Sequence, residues 1–268
     1  MNFSIIGTGF ISPRHIEAIY YTHGKVIDIV NTAHGENEWK KIIKNPKTDC
    51  IVVLTPNDLH FKMALAAAKA KKIVLCEKPL TINSKDAEIL TKYPNIFTIL
   101  QLRHHPLTKE LREKISTESR KDKKYEIEMD ISVYRDKDYY KIWKGQFKRS
   151  GGVLFNLGIH YFDLLLYLFG QPEKIKTLTL NEKVGTGIIE RKNYICHWHI
   201  GTDEKKQNQR RVFKINGTDY NFSSKDNLSH ENLHRFIYQD LLKGKGITPK
   251  QAIESINLVE KLYARYEK

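Results

Sequence analysis

The first hundred residues alternate short apolar runs with amphipathic stretches. Residues 2–6, 26–30, 49–54, 73–76 and 96–102 are apolar runs of strand length. Helical spacing fills the gaps, at 13–24, 36–44, 60–71 and 86–92. Pro13 suits a first helical turn, where its missing N–H is no loss. Strands alternating with helices predict a parallel, doubly wound α/β sheet. Beyond residue 103 the texture changes. Residues 125–133 and 175–180 alternate apolar with polar side chains, and 194–200 and 212–215 also read as strands. Asn216-Gly217 closes the last of these with a hairpin signal. These predict an open, mainly antiparallel sheet with one wet face. Residues 158–169 form a strongly apolar helix ended by Gly170, and 249–266 an amphipathic one. The expected division is a cofactor-type domain over 1–103 and an α+β domain over 104–268.

At 268 residues and 40% hydrophobic, the chain can bury a substantial core. No run approaches a membrane span, and the N-terminus leads straight into a strand, so a cytoplasmic, membrane-free protein is expected. Cys50, Cys76 and Cys196 lie far apart without metal-ligand spacing. Buried free thiols and no metal site are expected. The net charge of +14 suits a lysine-rich surface, an anionic small-molecule ligand such as a nucleotide sugar, or nucleic acid. The densest basic runs, 120–124 and 205–211, fall in expected loops. No helix-turn-helix, zinc or RNA-binding signature accompanies them, so no nucleic acid partner is expected.

Gly7-x-Gly9-x-x-Ser12 follows a strand and opens a helix. In that context the glycines let backbone N–H groups approach a pyrophosphate, so the first domain reads as Rossmann-like. The acid that usually follows the second strand is replaced by Asn31, while Asp28 lies within the strand. NAD is expected and NADP stays open. Thr55-Pro56-Asn57 ends the third strand, at the sheet edge where ligands sit in such folds. The run 73–80 places Glu77-Lys78-Pro79 at the end of the fourth strand, fixing one ammonium group at the sheet's rim.

In the second half, Asn156, His160 and Asp163 recur at spacings of four and three within an apolar run, so one helical face can carry all three. A histidine there can take a proton near neutral pH. Arg103-His104-His105 offers cationic donors after a strand end. Tyr139-Tyr140 through Trp143-Lys144, with Arg149 beyond, offers stacking and charged hydrogen bonds for a uracil ring and phosphates.

Gly7 to Ser12, Glu77-Lys78-Pro79 and Gly158-Ile159-His160 together resemble the Gfo/Idh/MocA oxidoreductases. Pro13-Arg14-His15, Gln101 to His105, Tyr140 through Gly145 and Asn156 to His160 resemble its branch of UDP-N-acetyl-2-amino-2-deoxyglucuronate 3-dehydrogenases. The resemblance implies a cytoplasmic homo-oligomer, tetramer or dimer, oxidising C3 of a UDP-sugar, with 2-oxoglutarate used to recycle the cofactor. It implies Lys78 and His160 as catalytic residues. It assigns the cofactor to Gly7, Gly9, Phe10, Ile11, Asn31, Thr55, Pro56, Asn57, His60, Glu77 and Lys78. It assigns the substrate to Arg103, His105, Tyr140, Trp143, Lys144, Arg149, Asn156 and His160. One departure is a short stretch after Val30, where a helix and strand that shape the adenosine pocket are missing. That departure raises two alternatives, a UDP-N-acetylglucosamine 3-dehydrogenase and a catalytically silent nucleotide-sugar binder.

Overall fold

The structure, a computed structural model, describes residues 1–118, 123–222 and 233–264. Part of the basic run 120–124 and the end of the expected helix 249–266 lie outside the described residues. The chain divides into two compact units, Met1–Leu100 with Asn232–Ile253, and Gln101–Glu231 with Glu254–Lys268. The linear reading leaves 232–253 in the second unit.

The first unit holds five parallel strands in the order β2-β1-β3-β4-β5. They are β1 (Asn2–Ile6), β2 (Lys25–Val30), β3 (Cys50–Val53), β4 (Ile73–Cys76) and β5 (Ile96–Thr98). β3 is buried at every position, as a central parallel strand must be. The helices α1 (Ser12–Tyr21), α2 (Glu36–Lys44), α3 (Asn57–Lys69) and α4 (Ser84–Leu90) follow their strands in alternation. The expected strand over 96–102 stops at Thr98, whose N–H bonds to Ile247 O at 2.9 Å, and a short 3-10 turn takes over at Gln101–His104. One 3-10 turn (Thr32–His34) and α2 lead directly into β3, and β2 is the sheet edge.

The second unit carries α5 (Pro106–Glu118), β6 (Tyr125–Ser132), α6 (Lys137–Lys141), α7 (Phe147–Ser150), α8 (Ile159–Phe169), β7 (Lys174–Leu180), β8 (Val184–Arg191), β9 (Tyr194–Gly201), β10 (Arg210–Ile215) and β11 (Thr218–Asp219). Its sheet runs β11-β10-β6-β9-β8-β7. Every pairing is antiparallel except β6 with β9. β10 and β11 meet across Asn216-Gly217, both at positive φ (50° and 78°), as a two-residue hairpin of this kind requires. α8 is buried all round except Tyr167, and packs Phe162 edge-on against Trp198 of β9 at 5.4 Å. It belongs to a stretch, Phe147–Phe169, that is long and apolar enough to cross a membrane, contrary to expectation. Its most apolar 18-residue window is 83% buried inside the fold, which is the behaviour of a core helix.

Two further helices, α9 (Leu233–Leu242) and α10 (Pro249–Ala264), close the chain. α9 belongs to the first unit, where Tyr238 packs against Phe3 of β1 with ring centroids 5.6 Å apart. All three cysteines are buried and free, and burial pushes each thiol pKa up.

Candidate active site

The carboxyl ends of β1, β3 and β4 lie together along one edge of the parallel sheet, and the expected cofactor residues follow each of them. Gly7 has φ +114°, and a Cβ there would stand 2.4 Å from Leu54 O, so only glycine lets the turn lie on the end of β3. Its N–H donates to Val30 O at 2.8 Å. Gly9 differs, since a Cβ on it would meet nothing within 4 Å. The turn therefore keeps open the space a pyrophosphate needs, in front of the N-terminus of α1. Phe10 is 82% exposed beside it, and Ile11 is the N-cap residue. Asn31 donates from Nδ2 to Thr8 Oγ1 (2.6 Å) and accepts from Ala33 N–H (2.9 Å), which ties the turn to the end of β2. One lone pair of its oxygen remains for a ribose hydroxyl. Asp28 accepts instead from Ser4 and Asn45, pointing elsewhere as expected.

Thr55 and Pro56 lead into α3, which begins at Asn57, three residues earlier than the sequence suggests. His60 is buried, with Nδ1 2.7 Å from Pro79 O and Nε2 2.9 Å from Thr55 O. A neutral ring donates to one of the two carbonyls, and burial lowers its pKa. The ring thereby joins the loop after β3 to the Glu77-Lys78-Pro79 segment after β4. Lys78 is half-buried, and its N–H donates to Glu77 Oε2 at 3.0 Å.

Glu77 anchors a buried cluster that the sequence does not reveal. His15 Nε2 lies 3.1 Å from Glu77 Oε1, His234 Nε2 3.8 Å from the same oxygen, and Tyr238 Oη 2.9 Å from His15 Nδ1. The ligand-type atoms of His15, Glu77 and His234 all lie within 4.8 Å of one another. Burial pushes the Glu77 carboxyl pKa up, but the contacts with His15 and His234 outweigh it and hold the group well below the usual range. Burial lowers the His15 pKa against the pull of Glu77. A neutral His15 then donates to the carboxylate and accepts from the tyrosine. This fixes Glu77 and, through its second oxygen, the backbone of Lys78.

In the second unit, a concavity is lined by Tyr139, Tyr140, Lys144, Gly145, Phe147, Ser150, Gly152, Val153, Asn156, Leu157, Glu182 and Thr202. Asn156 Nδ2 donates to Tyr139 Oη at 2.5 Å, and Tyr140 Oη to Thr202 Oγ1 at 2.7 Å. Lys144 Nζ lies 5.6 Å from the Tyr139 ring centroid and 5.8 Å from that of Trp143. Burial and nearby Arg135 lower its pKa. His160 is buried at 8% exposure, at the start of α8. The helix before it is a π segment, Leu154–Gly158, a distortion frequent at functional sites.

Arg103, His105 and Arg149 stand outside the wall of the concavity. Arg103 is bound bidentately to Asp163, through Nε at 2.8 Å and Nη2 at 2.7 Å. The pair joins the turn at Gln101–His104 to α8 across 60 residues of sequence. His105 Nδ1 accepts from Leu107 N–H at 3.2 Å, which caps α5. Arg149 lies on α7 and is not in the wall of the concavity. Sequence reading missed Thr202, Arg135 and Arg211. The Tyr139-Tyr140 pair was visible, but Arg211 had only its place in a basic run as a signal. In that run Arg210 is paired with Asp130 (2.5 Å) and Glu204 (3.3 Å).

Residues 1–94 match the family described as "Oxidoreductase family, NAD-binding Rossmann fold", and residues 123–184 match its C-terminal alpha/beta domain. The chain belongs to the Gfo/Idh/MocA oxidoreductase family. Its first unit is that family's NAD-binding Rossmann domain. Among curated relatives, it is 24% identical over 202 residues to scyllo-inositol 2-dehydrogenase (NADP(+)) IolW of Bacillus subtilis, covering 71% of this chain and 53% of that protein. It is 25% identical over 238 residues to myo-inositol 2-dehydrogenase of Thermotoga maritima, covering 79% of this chain and 69% of that one. The chain thus spans about half to two thirds of the length of these relatives. Among solved structures, the WlbA (WbpB) dehydrogenase of Thermus thermophilus in complex with NAD and UDP-GlcNAcA superposes with a TM-score of 0.84 at 25% identity. That match covers 99% of this chain and 94% of the other. The same Thermus enzyme with NAD and alpha-ketoglutarate gives 0.85 at 24% identity, covering 98% and 94%.

Proposed function

We propose that the protein is an NAD-dependent dehydrogenase acting on the C3 hydroxyl of a UDP-N-acetylated amino sugar, a uronate such as UDP-N-acetylglucosaminuronate. The observation that carries this reading is the concavity in which aromatic rings, cations and Asn156 converge. Stacking surfaces beside cations suit a nucleotide diphosphate-sugar better than an uncharged polyol. The likeness to the Thermus dehydrogenase bound to UDP-GlcNAcA supports the same class. The inositol dehydrogenases among the relatives support the shared step, oxidation of a secondary alcohol on a ring.

The glycine turn binds the dinucleotide, with Gly9 leaving room for the pyrophosphate and Asn31 offering an acceptor to the ribose. Bound NAD supplies the nicotinamide carbon that accepts hydride from C3. His160 takes the hydroxyl proton, so that the C–H electron pair leaves and a C3 ketone forms. The Lys78 ammonium stabilises charge developing on that oxygen. The His15–Glu77 cluster and His60 hold the segment carrying Lys78. Asn156 orients the sugar, Tyr140 and Trp143 receive the uridine end, and Lys144 pairs with an anionic group of the substrate. 2-Oxoglutarate is the proposed reoxidant of the reduced cofactor, and a dimer or tetramer the proposed assembly.

Titrating nucleotide-stripped protein with NADH and NADPH, followed by fluorescence, names the cofactor. Turnover of UDP-GlcNAcA, UDP-GlcNAc and myo-inositol then ranks the substrates. Lys78→Met should abolish turnover while UDP-sugar binding stays measurable. Unchanged turnover in that variant overturns the assignment. UDP-sugar binding without dinucleotide binding would favour the silent binder.

A further inference from the structure

Three cations gather around two tyrosines of the second unit, beside the segment that carries His160. Arg135, just after β6, stands with Cζ 5.0 Å from the Tyr139 ring centroid, and Lys144 Nζ stands 5.6 Å from the same centroid. Arg211, on β10, faces Tyr161, the residue after His160. Among the described residues, neither Arg135 nor Lys144 is in an ion pair with a carboxylate. The buried Nε of Arg135 donates no hydrogen bond. Glu182 is the acid in the wall of the adjoining concavity. Burial first, and then Arg135, lower the pKa values of both Lys144 and Arg211. Burial raises that of Tyr161 to about 12, while Arg211 pulls it down. Clustered, partly buried cations repel one another, and an anion seated among them relieves the repulsion.

From this geometry we infer that Arg135, Arg211 and Lys144 form a subsite for a carboxylate on the sugar ring, and that Arg135 sets the preference for a uronate over a neutral sugar. The planar guanidinium fork matches a carboxylate in two parallel hydrogen bonds. Tyr161 adjoins His160, the proposed base, which favours a group on the reacting ring. This inference rests on the function proposed above.

The test compares kcat/KM for UDP-GlcNAcA and UDP-GlcNAc in the full chain with NAD, for wild type, Arg135→Gln, Arg135→Lys and Lys144→Met. Loss of one charge-assisted hydrogen bond predicts that Arg135→Gln lowers the uronate-to-neutral ratio by about 10- to 100-fold. Arg135→Lys should restore part of it, and Lys144→Met should move it in the same direction as Arg135→Gln. An unchanged ratio in both Arg135→Gln and Lys144→Met overturns the subsite. So does an equal loss on both sugars, which would assign the cluster to the diphosphate. If wild type turns over neither sugar, the functional reading fails on its own. The subsite is then judged by glucuronate. A rise in melting temperature with glucuronate that disappears in Arg135→Gln supports it, and no rise in wild type overturns it.

Discussion

Replacing Arg103 by Met should destabilise the second unit strongly and leave sugar recognition nearly unchanged. The guanidinium makes two short bonds to Asp163, whose side chain is 1% exposed against 10% for the arginine. It also lies 4.9 Å from the Tyr167 ring, which Arg112 approaches at 3.9 Å. Methionine keeps much of the packing but strands a buried carboxylate, a loss of about 3–5 kcal/mol. For a chain of this size, that corresponds to a drop of roughly 6–20 °C in melting temperature. Burial already raises the Asp163 pKa, against the pull of Arg103. Without the arginine it rises further, so the folded mutant binds a proton that the unfolded chain binds only at lower pH. The deficit should therefore grow as pH increases from 5 to 8. Fluorescence of Trp198, buried in this unit, follows the transition. The double variant Arg103→Met/Asp163→Leu removes both charges and should recover at least about 2 kcal/mol of the loss. If Arg103→Met melts within about 1 kcal/mol of wild type and instead raises KM for the sugar nucleotide tenfold, the arginine serves the substrate and the reasoning is wrong.

The two glycines of the turn should separate stability from binding. Gly9→Ala meets no atom and should melt within about 1 kcal/mol of wild type yet weaken NAD binding, whereas Gly7→Ala clashes with Leu54 O at positive φ and should lose both. Equal binding by Gly9→Ala and wild type would mean that the dinucleotide does not approach this turn. His15 is held neutral by burial, so below about pH 6.5 the unfolded chain takes up a proton that the folded chain refuses. Stability should fall as pH drops from 7.5 to 5, with a shallower slope in His15→Gln. A slope identical in both would show that His15 is protonated in the folded state.

The centre of the parallel sheet was legible because β3 and β4 are buried almost throughout and appear as unbroken apolar runs, while the edge strand β2 mixes Lys25 and Asp28 with its apolar residues. The intervening helices have caps or amphipathic spacing. Lys78 was legible for the same reason, since a charge at the end of such a run is anomalous by itself. β8 was not, because Gly185 and Gly187 dilute its strand signal. The fold explains Gly187, where a Cβ would stand 2.7 Å from the Trp198 ring. α5 and α9 were also passed over, their apolar positions being interleaved with charge.

By itself, the sequence determined what depends on neighbours in the chain. That covers the alternating strands and helices, the glycine turn, the Asn216-Gly217 hairpin and the lysine at a strand end. Tertiary structure decided what depends on groups far apart in sequence. Asp163 was free to serve a substrate until Arg103, 60 residues away, closed on it. Glu77 gained its partners from α1 and from α9, which returns to the first unit from residue 233 onward. Arg135 and Arg211 became neighbours because β10 pairs with β6. Whether a charge is buried, paired or exposed is fixed by contacts that local propensity does not encode, and that difference decides whether it supports the fold or remains available to a ligand.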